Sequence, residues 1–527
     1  MTAESDLPIL VGVGQHTVHW DGSNPADAPD PISLCVAASE AAIRDSTAPE
    51  VLRDRLDAVV VVRTFADSIP GNVPPTGRCA NPPQSVARGL GAEAGAGVYS
   101  ISGGDQPQKL VNEFADRLSR GEHRAVLLCG AEATAAAKTA RRAGLELDWS
   151  ASANGPLEDR GLGPMLLTEY EISNGLGWPA QTYPLFEEAL RARMGLDREA
   201  YLALMAELLS GLSTIAAANP FAQFPQARDA EFLITASKEN FPIASPYLKW
   251  HVAQESVNQG AAVLMTTVAQ AREAGIGEDR WVYLHGHSAV QDRPITERND
   301  LSRSRSLELV LQQSLSTSGI DASAVAAFDI YSCFPCVVLL AAEALGVDWR
   351  TSPLTVTGGL PFFGGPGNNY SMHAIASMVI RLREHPGDFG LVLANGGFLS
   401  KHAAGVYSTR TPQQWSAVDS SELQRSIDEG PAVTGITVTE ETLATVESST
   451  VIHGRRGGER GLLSLRNESG RVFAQTGFEA GATVSELASC TETIGKCVRV
   501  HSINGNNFVR PNLPEAPKPL FPASSST

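Results

Sequence analysis

The chain has 527 residues, 43% of them apolar and 19% charged, with a net charge of −17. That length exceeds the size at which one hydrophobic core stops growing, so two core-sized domains plus something smaller are expected, and the apolar share excludes a disordered chain. The acidic balance excludes a binder of nucleic-acid backbone, which needs clustered Lys and Arg, and means that an anionic small molecule must be met by local cations or helix N-termini.

The first segment puts acidic residues ahead of the short apolar run 8–12, without the basic start or small-residue cleavage site of a secretory signal, and reads as a first strand. A helix over 32–45, a strand over 56–63, a helix over 106–119 and a buried strand over 124–129 follow. This alternation signals βαβ units and a mostly parallel sheet. Between about 150 and 245 the rhythm breaks into Gly- and Pro-rich turns around helical stretches 181–193 and 198–218, an insertion of the kind that is commonly functional. A strand over 260–267 closes the first half.

A second pass begins with the strand 281–285. It continues through a helix over 303–317, a strand over 326–330, helices over 337–345 and 370–384, and a strand over 390–394. No apolar run approaches the roughly 20 residues of a membrane span, because Glu343 interrupts the best candidate, 336–347. After the Pro-Gln-Gln and Ser-rich stretch 411–421 the composition changes to short β-branched runs at 436–439, 444–447, 449–453, 461–465 and 471–476, the pattern of a small β-barrel or sandwich. The Pro-rich tail after Arg510 reads as disordered. The expected division is a first half over 1–280 with the insertion inside it, a second half over 281–415, and a small β domain over 430–510.

Seven cysteines, at 35, 79, 129, 333, 336, 490 and 497, are odd in number and thinly spread, as for reduced thiols in a cytoplasmic protein. Cys333 and Cys336 have the C-x-x-C spacing but no second pair or nearby His, so the pair reads as structural and no metal is expected.

Five segments at the ends of the α/β units fall in a fixed order: Gly97-Val-Tyr-Ser-Ile-Ser-Gly-Gly104, Cys129-Gly-Ala-Glu132, Tyr331-Ser-Cys-Phe334, Gly358-Gly-Leu-Pro-Phe-Phe-Gly-Gly-Pro366 and Ala394-Asn-Gly-Gly397. Together they resemble the thiolase superfamily, particularly the sterol-carrier-protein type. The resemblance implies a duplicated five-layer αβαβα fold with a loop insertion, and coenzyme A or an acyl-CoA as ligand. In that family a thiolate attacks a thioester carbonyl, a histidine takes the proton, a second cysteine moves the α-carbon proton, and backbone N–H groups hold the oxyanion.

The resemblance places the nucleophile on Ser100, the histidine of the GHP motif on Gly365, the second cysteine on Ala394, and the His or Asn of the HDCF or NEAF motif on Tyr331, with Cys333 in a supporting position. The Cys/His/Cys set is therefore absent. The N–H groups of Ser100 and Gly396 remain as a candidate oxyanion hole, and His373, Tyr331, Tyr370 and His402 are candidate replacements for the lost proton-transfer groups. The turn from Gly365 to Tyr370 lacks the Gly-Lys-Ser/Thr ending of a nucleoside-triphosphate loop.

The C-terminal β domain resembles an extra domain of thiolase-like proteins and, more loosely, the OB-fold companion subunits of thiolase-like retro-aldolases, which leaves room for a protein partner through this domain. Cys490 and Cys497 alone cannot build the zinc ribbon such companions carry. Arg455, Arg456 and Arg460 form a basic run that either touches an anionic ligand or lines a solvated turn.

The first reading is thus a thiolase-like acyl-CoA/CoA-binding protein of lipid metabolism, formally in the acetyl-CoA acetyltransferase family but without its catalytic set. The second is a retro-aldol lyase acting on β-hydroxyacyl-CoA, with Tyr331 deprotonating the hydroxyl. The third is a non-catalytic scaffold.

Overall fold

Continuous apolar runs without alternation mark strands covered on both faces. Val59-Val60-Val61 and Leu127-Leu128-Cys129 are such runs, and they pair in parallel, residue for residue, inside the first sheet. The computed structural model describes residues 3–509 except 166, 414, 416, 455–458, 477–483, 485–486 and 488–491. Arg455, Arg456, Cys490 and the tail after 509 therefore lie outside the described residues.

The first half contributes β1 (Pro8–Thr17), β2 (Leu56–Val61), β3 (Ala96–Tyr99), β4 (Ala125–Ala133) and β5 (Asn258–Thr267), in the spatial order β3-β2-β4-β5-β1. The second contributes β6 (Val282–Gln291), β7 (Val325–Ile330), β8 (Phe389–Gly396) and β9 (Lys401–Ser408), in the order β7-β8-β9-β6. The β2–β4 and β7–β8 pairs are parallel, and the next two pairs in each half are antiparallel. Strands β7, β8, β9 and β6 thus repeat the arrangement of β2, β4, β5 and β1. The two sheets meet where Ile9 and Leu10 of β1 pair with Tyr283 and Val282 of β6.

Helix α1 (Pro31–Asp45) covers the outer face of the first sheet. Asp30 caps it by accepting hydrogen bonds from the Ile32 and Ser33 N–H groups, with Pro31 at its first position. A Cβ on Gly12 or Gly14 of β1 would run into the Ala42 and Ala38 carbonyls, so glycine sets the close approach of helix to strand. Helix α2 (Gln106–Ser119) lies between the sheets. The insertion carries α3 (Pro184–Arg193) and α4 (Arg198–Ala218), and the second half carries α5 (Arg305–Ser318), α6 (Pro335–Leu345) and α7 (Tyr370–Glu384). Helices α2 and α7 pack on each other and against both sheets, and α5 covers the outside of the second sheet. The result is the five-layer αβαβα arrangement.

One expectation needs correcting. At 21 residues, α4 is long and apolar enough by length and composition to cross a membrane. It is instead amphipathic in place: Met205, Leu208, Leu209, Leu212 and Ala216 are buried, and Leu212 and Ala216 pack on Gly359 and Gly358.

The C-terminal region forms a closed five-stranded barrel from β10 (Thr442–His453), β11 (Glu459–Asn467), β12 (Gly470–Thr476), β13 (Cys497–Ile503) and β14 (Asn506–Val509), running round as β10-β11-β12-β14-β13 and back to β10. Val446, Leu463, Leu465, Val472, Val498 and Val500 fill it, separately from the main core. The runs 444–447 and 449–453 are one strand with a register shift between Val446 and Ser448, and the run 436–439 is not a strand. The short strand Pro242–Ala244 of the insertion pairs with β10, Ala244 opposite Ile452.

A buried cation docks the barrel on the core. Arg471 donates from Nε to Glu447 Oε2 (2.8 Å) and from Nη1 to the carbonyls of Ile295 and Thr296 (3.0 Å each) and of Arg298. Part of the surface on which a protein partner was expected is therefore used within the chain. Burial works against ionisation of Glu447, yet Arg471 and Arg466 together hold its carboxyl below the usual range. Arg471→Ala leaves that carboxylate to Arg466 alone and takes the donor from the Ile295 and Thr296 carbonyls, so urea unfolding should show a loss of about 1–3 kcal/mol. Because the folded pKa of Glu447 is depressed, its contribution is complete above the unfolded value and is lost as pH falls through the folded one. Unaltered stability of the variant at neutral pH would show that the barrel is held by its apolar contacts alone.

Candidate functional site

After β3 the chain turns through Ser100-Ile101-Ser102-Gly103-Gly104-Asp105 into α2, with Gly103 at φ +148°, a conformation open to glycine. The start of α7 is stitched to this turn. Asn368 Oδ1 accepts from the Gly103 N–H (3.2 Å), while its Nδ2 donates to the Arg63 carbonyl (2.8 Å) and Ser68 Oγ (2.9 Å). Asn369 Nδ2 donates to the Gly130 carbonyl (2.6 Å), and Ser371 Oγ to the Gly104 carbonyl (3.4 Å). Two more segments close in. A Cβ on Gly104 would lie 2.5 Å from the Tyr331 hydroxyl and 2.5 Å from the Asn395 carbonyl oxygen, and one on Gly396 would lie 2.5 Å from Asp105 Oδ1 and 3.0 Å from the Gly104 nitrogen. Glycine at 104 and 396 is what lets four loops meet at the N-terminus of α2.

The insertion covers this convergence. Gln223 and Phe224 donate from N–H to the carbonyls of Phe363 (2.7 Å) and Phe362 (3.2 Å), Ala253 to that of Cys333 (3.1 Å), and Gln254 to that of Leu360 (3.2 Å). Just ahead of α3, Tyr183 stacks on Phe334 (4.0 Å between ring centres), and its hydroxyl accepts from Asn395 Nδ2 (3.0 Å) and the Leu399 N–H (2.7 Å). At the insertion's far end the Arg228 guanidinium and the Lys249 ammonium both lie on the Trp250 ring, 3.8 and 4.6 Å from its centre. Neither forms an ion pair with a carboxylate among the described residues. Burial lowers the pKa of both, and Arg228 lowers that of Lys249 further, with Glu239 opposing.

The chain matches no protein-family model and no curated protein. Among solved structures, a monomeric SCP2-thiolase-like protein type 1 from Mycobacterium smegmatis is 35% identical, over 96% of this chain and 99% of that one, with a TM-score of 0.81. This chain belongs to the SCP2-thiolase-like proteins. The fold extends to more distant structures: an Ltp2–ChsH2(DUF35) aldolase (18% identity, 77% of this chain and 98% of that one, TM-score 0.57) and the dimeric peroxisomal thiolase of Saccharomyces cerevisiae (13%, 77% and 98%, 0.56).

Against the expectations from the family resemblance, this SCP2-thiolase-like chain shows several corrections. Ser100 is not at the convergence, which falls on Gly103, Gly104 and Asp105. Its Oγ accepts from the Arg63 N–H (2.9 Å) and donates to the Ile101 carbonyl (2.8 Å), and its own N–H donates to the Val61 carbonyl (3.0 Å), so neither a nucleophile nor an oxyanion donor is free there. His373 is fully buried, turned towards Gln15 Oε1 (Nδ1, 2.9 Å) and the Phe363 ring, and burial pushes its pKa down to about 3; it is a neutral core histidine. Tyr370 is tied to Thr357 Oγ1 (2.6 Å) and Asp329 (3.1 Å). His402, expected at the surface as readily as in the site, is buried beside Ser304 with its pKa pushed down to about 4.

Tyr331 does reach the convergence, its ring edge-on to Tyr370 at 5.4 Å. Burial raises its pKa well above the phenol value, with Cys333 and Asp105 adding to the effect. That direction favours the protonated, donating form and counts against Tyr331 as the base of the retro-aldol reading. Ala394 offers only its methyl group, inside β8. Gly365 has no left-handed φ, and a Cβ there would lie 3.3 Å from the Ala253 Cβ, so the position tolerates a small side chain with slight adjustment. Cys333 Sγ lies 3.4 Å from Asn395 Nδ2, and burial pushes its pKa up to about 12, an unreactive thiol. Glu132 accepts from the Phe65 N–H (2.5 Å) and is pushed up to about 8 by burial, with Asp67 and Glu255 adding. Among the described residues no group of three His, Cys, Asp or Glu side chains is placed to hold a metal.

Sequence reasoning missed Asp105, buried at the convergence, and Lys401, whose Nζ donates to the Ser102 carbonyl (3.2 Å). The signal was there: a Gly-Gly pair directly before the first turn of a helix, and a lysine closing the Gly-Gly-Phe-Leu-Ser loop.

Because the Ser100 hydroxyl satisfies a buried N–H, Ser100→Ala should destabilise the fold by about 1–3 kcal/mol in urea unfolding. Mass spectrometry of the native chain after incubation with acetyl-CoA should show no acetyl group on Ser100. A stoichiometric adduct there would reverse the assignment.

Proposed function

We propose that this chain binds coenzyme A or an acyl-CoA of lipid metabolism without forming an acyl-enzyme. The observation that carries the reading is the composition of the convergence: glycine backbone, a protonated phenol and side-chain amides stand where the thiolase mechanism needs a thiolate and an imidazole. The Arg228 and Lys249 cations on Trp250 support the nucleotide end. Two like charges on one ring without a carboxylate in contact favour an anion between or above them, and the aromatic face suits a base or a pantetheine arm. Their position in the insertion, which covers the convergence, fits a ligand reaching inward from that side.

A second reading, cleavage of a β-hydroxyacyl-CoA by retro-aldol chemistry, gains from one observation: the Tyr331 hydroxyl lies against Gly104, where the loops meet. In that role it donates to a carbonyl or alkoxide oxygen, and the base must be another group.

Calorimetry on the full chain tests the first reading. CoA should bind at about 1 mM or below, and the paired substitution Arg228→Ala with Lys249→Ala should weaken it about tenfold or more, the worth of one or two charge-assisted hydrogen bonds. Folded protein that shows no heat with CoA at that concentration would remove the reading.

A further inference from the structure

Where the insertion meets the barrel, the register of two strand pairs sets three polar side chains in a row. Ala244 lies opposite Ile452 of β10, and the Ser245 N–H donates to the Val451 carbonyl (2.9 Å) while the Thr450 hydroxyl donates to the Ser245 carbonyl (2.8 Å). The backbone of Ser245 is thereby fixed against β10. His453 and Glu459 are directly opposite each other in the β10–β11 ladder, and so share one face of it. Glu459 Oε1 lies 2.8 Å from His453 Nδ1, and Ser245 Oγ lies 3.3 Å from His453 Nε2.

A carboxylate only accepts, so Nδ1 carries the ring proton and donates it to Glu459, which leaves the Nε2 lone pair facing the Ser245 hydroxyl. Carboxylate, imidazole and hydroxyl in that order make an activated serine. A substrate can reach it, since Ser245 is half-buried and the His453 and Glu459 side chains are 25% and 50% exposed. None of the three lies at the Gly103–Gly104 convergence, and the acyl-CoA reading makes no use of them. Oxyanion support is the weak side of the arrangement. Pro246 follows the serine and has no N–H, and the N–H of Ser245 is already bonded, so the two donors nearest the nucleophile cannot hold an oxyanion. Loss of such a donor costs about 10²–10³ in rate, which confines the chemistry to esters whose leaving group departs readily.

We propose that Ser245, His453 and Glu459 form a second reactive centre, one that takes acyl groups from activated esters of phenols or enols and passes them to water. Ser245 Oγ bonds to the acyl carbon as His453 Nε2 takes the hydroxyl proton, and Glu459 balances the imidazolium. The C–O bond to the leaving group then breaks; its oxygen keeps the electron pair and takes the proton from Nε2. Water, deprotonated at Nε2, adds to the acyl carbon, the bond to Oγ breaks, and the proton returns to Ser245. Water is the only co-reactant.

4-Nitrophenyl acetate tests this on the full chain. Nitrophenolate release should run about a hundredfold faster than in Ser245→Ala, the gain that a general base supplies, and peptide mass spectrometry of an acid-quenched early sample should find acetyl on Ser245. His453→Gln should remove most of that gain. Glu459→Gln should slow acylation about tenfold and Glu459→Asp should recover part of it, with the melting temperature of both variants unchanged. Equal release by wild type and Ser245→Ala, or acetyl found on lysines and not on Ser245, overturns the proposal, as does undiminished acylation of Ser245 in folded His453→Gln. Should that variant fail to fold, a wild-type map without acetyl-Ser245 still overturns it. Each of these outcomes leaves the acyl-CoA reading untouched, because no step involves CoA.

Discussion

Where the two halves of the chain meet, the first turns of α2 and α7 bring backbone N–H and C=O groups into a region that water does not reach, and each such group must find a partner. Two asparagine amides supply them, and a third ties side chains across the same seam. Asn368 holds the Gly103 N–H and the Arg63 carbonyl, Asn369 holds the Gly130 carbonyl, and Asn395 reaches Tyr183 and Cys333. An amide both donates and accepts, so one side chain can bind loops from opposite halves. These bonds hold the Gly103–Gly104 turn and, through Tyr183, the insertion in place.

Burial then sorts the chemistry. Imidazoles inside this seam lose their charge, as His373 and His402 do, and thiols and phenols keep their protons, as Cys333 and Tyr331 do. Such groups contribute packing and directed hydrogen bonds but no nucleophile. The carboxylate of Asp105 and the ammonium of Lys401 are different in kind, since both keep hydrogen-bonding capacity that the fold itself does not use.

Much of the framework was legible in the sequence because it rests on local periodicity. The helices at 106–119, 198–218 and 370–384 appear with the bounds expected of them, and the five motif segments lie at the ends of the units that they punctuate. Less legible were features that depend on direction. A helix turns by about 100° per residue, so Ser371 faces the Gly104 carbonyl before α2 while His373 faces Gln15 of β1, and counting along the chain cannot separate them. Ser100 was misplaced for a related reason: the turn between β3 and α2 is long enough to carry the convergence past it, to Gly103. The strand Lys401–Ser408 begins with Lys and His, whose polarity hides its burial, and the same polarity made His402 look exposed.

The pairing of Ala244 with Ile452 has a consequence for how the protein is made. The strand partner of Pro242–Ala244 emerges from the ribosome roughly 200 residues after it, a delay on the order of 10–40 s at ordinary rates of synthesis. Through that interval the insertion holds an unpaired edge, a surface open to pairing with other nascent chains. The barrel, translated after the insertion, closes that edge, so a chain truncated before Thr442 would carry a persistent site for misassembly.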